Sequence, residues 1–330
     1  MISLPAPRGL VSECLLAALV EPVHSMPEVP PVVPHEEDLH LSLYLCYELH
    51  YRGLPGVDAE WEWEPSLLEL RRRLERSFEA DLRARVPAPA LVAPDEVDIA
   101  LREIERGDTA PSLSRHLARD ADGEQFREFL IHRSAYQLKE ADPHSWGLPR
   151  LHGRPKAAMV EIQVDEYGAG NADRMHSALF ARTMEAMNLD ASYGAYVGLL
   201  PAPTLATVNL MSLFGLHRRL RGSLVGHLAL FEMSSSVPNR RYADGLRRLG
   251  YGPVATDFFD EHVVADAVHE SVAAVDLAGG LAQQDPTLTG DILWGALALR
   301  ELEARFAEHL LDAWASGSSS LLAAPEMASA

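Results

Sequence analysis

Three residues in one short segment, His262, Asp266 and His269, have side chains that can bind a transition metal. They are four and three residues apart, and at about 100° per residue this spacing places all three on one narrow face of an α-helix. The neighbouring positions 263–265 and 267–268 are valine and alanine, which predicts a largely buried helix. Because buried charged groups need partners or a metal, the pattern favours metal binding over a solvated polar stripe. Two imidazoles and a carboxylate suit a redox metal.

Glu166, His176 and Glu232 are the candidates to supply the remaining ligands. Glu232 lies in an apolar stretch, where an acid is costly unless it binds a metal or pairs with an arginine such as Arg240 or Arg241. His176 follows Glu166 by ten residues, which in an unbroken helix is a rotation of about 80° away from alignment. A pair of irons that activates dioxygen needs several carboxylates for charge balance and a few imidazoles, which helix bundles provide. The six residues therefore predict a carboxylate-rich site for two irons.

Two further acids and one histidine compete for these roles. Asp173 lies three residues before His176 and forms an acidic-x-x-His pair with it. Glu140, near the end of a predicted helix, is either a surface acid or an additional carboxylate ligand. His227 is a weaker candidate, better explained as a core histidine. The residues alone leave open which carboxylate accompanies His176 and whether Glu140 takes part.

The composition is that of a soluble globular protein. Of 330 residues, 47% are hydrophobic and 23% are charged, and 29 basic against 48 acidic residues give a net charge of −19. This acidity disfavours nucleic acids and anionic membranes as partners, because both would repel the protein.

The cysteines and the N-terminus indicate a cytoplasmic protein. Cys14 and Cys46 form no Cys-x-x-Cys pair, so neither a disulfide nor a structural zinc site is expected, and a reducing cytoplasm fits. The apolar patch at 15–20 follows Glu13 and has only Arg8 as a basic flank, which argues against a signal peptide. No apolar run is long enough to cross a bilayer.

Apolar residues recur at helical spacing along most of the chain, and strand signals are weak throughout. The sequence therefore predicts an all-α multi-helix bundle. Its divisions are predicted as a flexible leader (1–35), an N-terminal helical extension (36–120), a bundle domain that holds the metal site (121–315) and a disordered tail (316–330). Helices are predicted at 38–52, from 65 onwards, at 95–106, 124–142, 156–168, 171–188, 192–218, 222–236, 239–249, 253–283 and 286–315, with a loop at 142–155.

At these residues the chain resembles the haem-oxygenase-like diiron oxidases and oxygenases, also called iron-containing redox enzymes. The resemblance covers roughly residues 124–315 and includes the gaps of ten residues from Glu166 to His176 and of thirty from Glu232 to His262. The landmarks are Glu140-Ala-Asp-Pro, Glu161-Ile-Gln-x-Asp-Glu166-Tyr-Gly-x-Gly, His176, Glu232 and His262-x-x-x-Asp266-x-x-His269.

The resemblance implies a bundle of about seven core helices, two irons as cofactor, dioxygen as co-substrate and an external electron donor. It also implies oxidation of a small amine or amino-acid-like substrate, by N-oxygenation or by oxidative C–C cleavage or desaturation, in bacterial secondary metabolism. A homodimer is compatible with it. The implied iron ligands are Glu166, His176, Glu232, His262, Asp266 and His269, with Glu140 as a candidate additional carboxylate.

Other readings of the same residues stay open. A ferritin-like diiron carboxylate protein would use Asp173-x-x-His176 and Asp266-x-x-His269 as its paired elements. A metal-free helical enzyme on the same fold, or an interaction protein, would keep the acids and histidines as salt-bridged core groups. Specificity depends on the shape of a pocket, so the substrate is not readable; Arg133 and Arg182 are candidates to bind a carboxylate.

Overall fold

The computed structural model describes residues 4–27 and 34–323, apart from the side chains of 266–268. Within these ranges the regular structure is helical and includes no β-strand, as the sequence predicts. A π-helical segment, Val272–Gly279, separates α12 from α13. The α-helices are α1 (Leu10–Leu19), α2 (Glu36–Glu48), α3 (Pro65–Arg85), α4 (Val97–Arg106), α5 (Leu113–Arg119), α6 (Gly123–Gln137), α7 (Asp142–Ser145), α8 (Gly153–Glu166), α9 (His176–Ala186), α10 (Ala202–Leu216), α11 (Arg221–Arg248), α12 (Pro253–Ser271), α13 (Gly280–Gln284) and α14 (Thr289–Ala315).

Local signals explain where helices begin and which face they bury. The Glu64 carboxylate caps α3 by accepting a hydrogen bond from the backbone N–H of Ser66 (3.1 Å), and Pro65 occupies the first turn, where no intrahelical donor is needed. Asp122 caps α6 through its side chain. The apolar stripe of α3 is buried, while most of its arginines lie at the surface. The stripe consists of Leu67, Leu70, Leu74 and Phe78.

Helices α11 and α14 cross in very close contact, which requires glycine on both sides. A Cβ atom at Gly226 of α11 would overlap the backbone carbonyl of Ile292 in α14. A Cβ atom at Gly295 of α14 would overlap the backbone of Ser223 in α11. Because a close-packed interior has no room for the helices to slide past each other, this contact fixes their register. Helix α12 packs along the same α11, so the histidines on α12 are placed relative to this pair.

The first helix lies in the segment for which the sequence predicts a flexible leader. Leu15 and Leu19 of α1 are completely buried. The Asp38 carboxylate of α2 accepts hydrogen bonds from the backbone N–H groups of Val11 (3.0 Å) and Ser12 (2.7 Å), and so caps α1. The apolar patch of this segment thus belongs to the core, and the expectation of a flexible leader does not hold for the described residues up to 27.

The N-terminal extension shares its core with the bundle. Helix α2 packs against α10, and Leu41, Leu43 and Leu45 are all completely buried there. The Asn209 side chain of α10 donates a hydrogen bond to the backbone carbonyl of His40 (2.9 Å). One continuous apolar cluster therefore includes α1, α2, α3, α10 and α14.

The start of the predicted disordered tail is also ordered. Ser320 is buried, and its backbone N–H donates to the Glu128 carboxylate (2.8 Å) while its hydroxyl lies 3.0 Å from Nε2 of His132. The backbone N–H of Leu322 bonds to the carbonyl of Leu199 (2.9 Å). Polar contacts rather than apolar periodicity hold this segment, so the sequence pattern does not reveal it; residues 324–330 lie outside the described ranges.

Several predicted helices have different bounds in the structure. The chain at 192–201 turns at Gly194 (φ 80°), and Pro201 precedes α10, so the helix begins ten residues later than predicted. The two helices predicted around Pro238 are one helix, α11, because a proline removes only one backbone hydrogen bond from a helix held by its neighbours. The helix predicted at 253–283 changes to π-helical geometry shortly after His269, a feature common near functional sites. None of the described helices is long and apolar enough to cross a membrane.

Replacing Gly226 by alanine is expected to lower the free energy of unfolding by about 1–3 kcal/mol, since the added methyl group must displace the backbone of α14. Gly290→Ala is the matched control, because a Cβ there meets nothing within 4 Å and alanine is the better helix former. Urea unfolding followed by circular dichroism measures both. Equal stability of the two variants would contradict the close contact.

Candidate metal centre

Six acidic and histidine side chains from five different segments point into the bundle interior. Each is at most 8% exposed. They come from the turn after α6, the end of α8, the start of α9, the middle of α11 and two turns of α12. These residues are Glu140, Glu166, His176, Glu232, His262 and His269.

Four of them form the first cluster. The ligand atoms of Glu140, Glu166, His176 and His262 all lie within 4.8 Å of one another. Nδ1 of His176 is 3.1 Å from Oε2 of Glu166, and Nε2 of His262 is 3.3 Å from Oε1 of Glu140. Two carboxylates and two imidazoles therefore meet around one point.

A second cluster shares one carboxylate with the first. The ligand atoms of Glu166, Glu232 and His269 also lie within 4.8 Å of one another, and Nδ1 of His269 is 3.2 Å from Oε2 of Glu232. Glu166 belongs to both clusters, so the two groups are adjacent and joined by its carboxylate.

A left-handed turn brings His176 back against Glu166. After α8 the chain takes positive φ angles at Gly168 (64°), Ala169 (52°) and Gly170 (82°). A Cβ at Gly168 would lie 2.6 Å from the backbone of Arg174, so only glycine fits this reversal. The ten-residue gap between Glu166 and His176 is thus spanned by a tight turn and not by the continuous helix considered from the sequence.

The proton position on His262 follows from its hydrogen bond. Nδ1 lies 2.8 Å from the backbone carbonyl of Phe258, one turn earlier in α12. A carbonyl only accepts, so Nδ1 carries the proton and donates, which leaves Nε2 as the lone-pair atom of the neutral ring. Nε2 is the atom that faces the Glu140 carboxylate. This orientation is typical of a histidine held ready to bind a metal.

A buried ion pair anchors the turn that carries Glu140. The ammonium of Lys139 lies 2.7 Å from Oε2 of Glu48 in α2, and it stands 4.0 Å from the centre of the Tyr51 ring. Both charged side chains are almost fully buried, so the pair holds the end of α6 against the N-terminal extension. Glu140, the next residue, is thereby directed to the opposite side, into the cluster.

The donor set fits a cationic metal. Burial raises the pKa of Glu140; His262 opposes this rise and the neighbouring Glu166 adds to it. Burial likewise raises the pKa of Glu232, against the effect of His269. Oε2 of Glu140 has no hydrogen-bond partner among the described residues. Carboxylates that are enclosed together need compensating positive charge, and a mixed oxygen and imidazole set without cysteine suits iron.

Asp165 contacts His269 and is not among the site residues that the sequence predicts. Its Oδ2 lies 2.9 Å from Nε2 of His269, so His269 stands between two carboxylates. Burial alone would lower the pKa of His269, but Glu232 and Asp165 raise it to about 9. The position of Asp165 directly before the predicted ligand Glu166 is the sequence feature that could have indicated a role at the site. The side chain of Asp266 lies outside the described part of the structure, so its predicted role stays a prediction.

Other sequence candidates lie apart from the two clusters. Asp173 is exposed, and the structure brings Glu166 rather than Asp173 to His176. Arg182 donates to the backbone carbonyl of Asp173 (3.0 Å), and Arg133 is paired with the Glu303 carboxylate. Neither arginine is thus directed at the centre as a carboxylate anchor.

His227 pairs with another buried histidine. Its Nδ1 lies 3.1 Å from Nε2 of His144, close enough for one neutral ring to donate to the other. Burial lowers the pKa of His227 to about 3. The interpretation of His227 as a core residue therefore agrees with its surroundings.

A cavity of about 660 Å³ adjoins the clusters. Glu140, Glu166, Glu232 and His262 line it, together with the aromatic residues Phe129, Tyr136, Phe180, Phe231, Tyr242, Phe259 and Phe306. Its volume lies in the range of small-molecule sites. A molecule in the cavity would therefore contact both clusters.

Comparison with known proteins identifies the class to which this fold and site belong. Residues 127–304 match the family described as iron-containing redox enzymes. The chain belongs to this family and is an iron-dependent oxidoreductase, and the predicted all-α haem-oxygenase-like bundle is confirmed.

A curated relative is nitrosourea synthase from Streptomyces achromogenes subsp. streptozoticus. The two sequences are 32% identical over 148 residues, which cover 44% of this chain and 31% of that protein. The chain thus matches less than a third of the length of this relative.

The buried His144–His227 pair predicts a loss of stability in acid. The unfolded chain binds a proton at His227 near the ordinary pKa of 6.5, whereas the folded site does so only near 3, so stability falls as the pH decreases between these values. At pH 5 the protonation of His227 in the unfolded chain lowers the free energy of unfolding by roughly 2 kcal/mol relative to neutral pH. His227→Gln should therefore reduce the pH dependence of the melting temperature over this range. His152→Gln, at an exposed position, is the control and should leave the pH dependence of the melting temperature as in the wild type. A His227→Gln variant with the pH dependence of the wild type would contradict the lowered pKa of His227.

Proposed function

We propose that this protein is a nonhaem diiron oxygenase or oxidase that uses dioxygen to oxidise a small amine or amino-acid-like molecule. The observation that carries the proposal is the pair of buried ligand clusters joined by the Glu166 carboxylate. Two adjacent clusters with a shared acid favour two metal ions over one. Membership of the iron-containing redox enzymes supports iron as the metal.

The candidate ligands would divide between two irons. One iron would be held by Glu140, Glu166, His176 and His262, and the other by Glu166, Glu232 and His269. Asp266, on the same helix as both α12 histidines, is proposed as a further ligand from its position in the sequence. When bound in the ferrous state, the two irons supply the electrons with which dioxygen is activated.

The residues of the chain prepare the site for this chemistry. The carboxylates balance the charge of the metals, and the bond from His262 to the Phe258 carbonyl fixes which ring nitrogen is offered. Tyr136, in the cavity wall, keeps its proton on Oη, because burial and the nearby carboxylates of Glu140 and Glu166 raise its pKa. This hydroxyl can donate a hydrogen bond to an oxygen atom at the centre. The aromatic side chains make part of the cavity wall beside the clusters apolar.

The curated relative supports the substrate class and the setting. Its name, nitrosourea synthase, indicates the formation of a nitrogen-rich product in a Streptomyces species. We therefore propose N-oxygenation, with oxidative C–C cleavage or desaturation as the alternative outcome, in bacterial secondary metabolism. The external electron donor, the homodimer and the cytoplasmic location remain predictions from the resemblance and the composition.

The ferritin-like alternative is less well supported. It requires Asp173 and His176 to act as a pair, whereas Asp173 is exposed and His176 faces Glu166. The metal-free alternative predicts full activity after chelation, and the interaction-protein alternative predicts that loss of a site histidine lowers stability without changing the metal content.

Anaerobic titration with ferrous iron tests the proposal. The wild-type chain should take up about two irons, and rapid mixing with dioxygen should produce a transient visible absorption. His262→Ala removes a ligand of one cluster and should lower the uptake towards about one iron and abolish the transient. Asp173→Asn is the matched control, because this exposed acid also precedes a site histidine, and it should behave as the wild type.

Two results would contradict the proposal. One is a wild-type protein that takes up no iron and shows no optical change with dioxygen. The other is a His262→Ala variant with the iron content and the transient of the wild type. Circular dichroism of each variant separates a lost ligand from a lost fold.

A further inference from the structure

Two sequence segments that contain candidate ligands also contain polar residues to which the proposed chemistry gives no role. Asp142 follows Glu140 by two residues in Glu140-Ala-Asp-Pro, and Tyr167 comes directly after Glu166. In the structure the Tyr167 hydroxyl donates a hydrogen bond to Oδ1 of Asp142 (2.9 Å). The residues that follow the two acids are thus joined to each other, although they are 25 positions apart in the sequence.

A serine completes this hydrogen-bonded group. A carboxylate only accepts, so the proton of the Tyr167 hydroxyl points to Asp142. Ser145 has its hydroxyl 3.0 Å from the same Tyr167 oxygen, and it is the donor of that contact because the Tyr167 proton is already engaged. Asp142 and Ser145 are the first and last residues of α7. Tyr167 is therefore held at both ends of this short helix.

Glu166 lies at the point where the regular hydrogen bonding of α8 ends. Tyr167 is the first residue after this helix, and the chain then enters the left-handed turn at Gly168. The last turn of a helix frays easily, because its final carbonyl groups lack partners within the helix. The bond from Tyr167 to Asp142 therefore holds the end of α8 at the residue adjacent to the carboxylate that both clusters share.

Glu140 also lies outside regular helix, in the turn between α6 and α7. Contacts on both sides of it fasten this turn: Lys139 pairs with an acid of α2, and Asp142 accepts from Tyr167. Only the second contact joins the turn to the helix that carries Glu166. The ligand oxygens of Glu140 and Glu166 lie within 4.8 Å of each other, and this separation depends on the hydrogen bond between the two segments.

The two clusters depend on this hydrogen bond to different degrees. Glu140 and Glu166 are two of the four residues of the first cluster. The second cluster shares only Glu166 with the first, and its other members, Glu232 and His269, come from α11 and α12. Loss of the bond should therefore disturb the first cluster more than the second.

We propose that Tyr167 and Asp142 are positioning residues of the metal centre, because their hydrogen bond joins the end of α8 to the turn before α7 and sets the separation of the Glu140 and Glu166 carboxylates. Residues of this kind touch no metal themselves, and their loss typically weakens metal binding by about ten- to hundredfold. The proposal rests on the metal centre of the proposed function, and it assigns no role to dioxygen or to the substrate.

Titration of the full-length chain with Co²⁺ tests the proposal, because Co²⁺ binds imidazole and carboxylate and its visible absorption depends on the number and geometry of its ligands. In the otherwise wild-type chain, Tyr167→Phe should weaken one of two binding steps about tenfold. Two parent variants show which step this is: His269→Ala removes a ligand of the second cluster, and His262→Ala removes one of the first. Tyr167→Phe should weaken binding and alter the absorption bands in the His269→Ala parent, and change binding by less than about threefold in the His262→Ala parent.

Substitutions at Asp142 separate a positioning role from a general loss of stability. Asp142→Ala removes the acceptor and should weaken Co²⁺ binding as Tyr167→Phe does. Asp142→Asn keeps a carbonyl oxygen that can accept from Tyr167, so it should recover most of the affinity. Because both single variants remove the same bond, their combination should bind Co²⁺ no more weakly than either one alone.

Tyr196→Phe is the matched control. The Tyr196 hydroxyl accepts a hydrogen bond from the backbone N–H of Asp190 (2.8 Å), so this variant also loses one tyrosine hydroxyl contact. The loop that contains it contributes no ligand to either cluster among the described residues. Tyr196→Phe should therefore bind Co²⁺ with the affinity and the absorption bands of the chain in which it is made.

The outcomes distinguish this proposal from the proposed function. If Tyr167→Phe binds Co²⁺ as its parent does, or loses the same affinity in both parents, the positioning role is overturned and the diiron function stands. If Tyr167→Phe has the expected effect but the wild type shows no transient absorption with ferrous iron and dioxygen, the positioning role stands and the diiron function is contradicted. A wild-type chain that binds no Co²⁺ overturns both.

Discussion

The enclosure of several carboxylates in one interior region is the constraint on which the rest of this structure depends. Glu140, Glu166 and Glu232 are almost fully buried and close together, and among the described residues of the two clusters only imidazoles are potential cations. Uncompensated charges of this kind would cost several kcal/mol each. A fold that keeps them there needs protons or metal ions between the oxygens. The buried acids and histidines therefore fit a cation site.

The scaffold holds these acids in place by contacts far from the site itself. The glycine-mediated contact of α11 with α14 fixes Glu232, and the left-handed turn at Gly168 returns His176 to Glu166. The buried pair of Lys139 with Glu48 directs the turn that carries Glu140. Since Glu48 belongs to α2, the N-terminal extension positions a residue of the candidate site as well as completing the core. Rigid support of this kind is what a catalytic geometry requires.

Local patterns predicted much of this arrangement. The spacing of His262 and His269 on an apolar helix is visible in the sequence, because helical periodicity is a local property. The joining of Glu166 to both clusters depends on helices that are distant in the sequence. The sequence therefore names Glu166 as a candidate ligand without placing it between the two clusters. Glu140 stayed undecided because it lies on a turn whose direction is set by the distant Glu48. The folded start of the chain was missed because α1 is short and its burial depends on Asp38.

Lys139 and Glu48 join the turn that carries Glu140 to α2, which lies outside the residues 127–304 that match the family. Both charged side chains are almost fully buried, so loss of either one leaves the other as an unpaired charge in the interior. A substitution in α2 can therefore disturb the candidate site without changing any residue of the site itself. The N-terminal extension and the bundle are for this reason expected to evolve together, since neither member of the buried pair is replaceable alone.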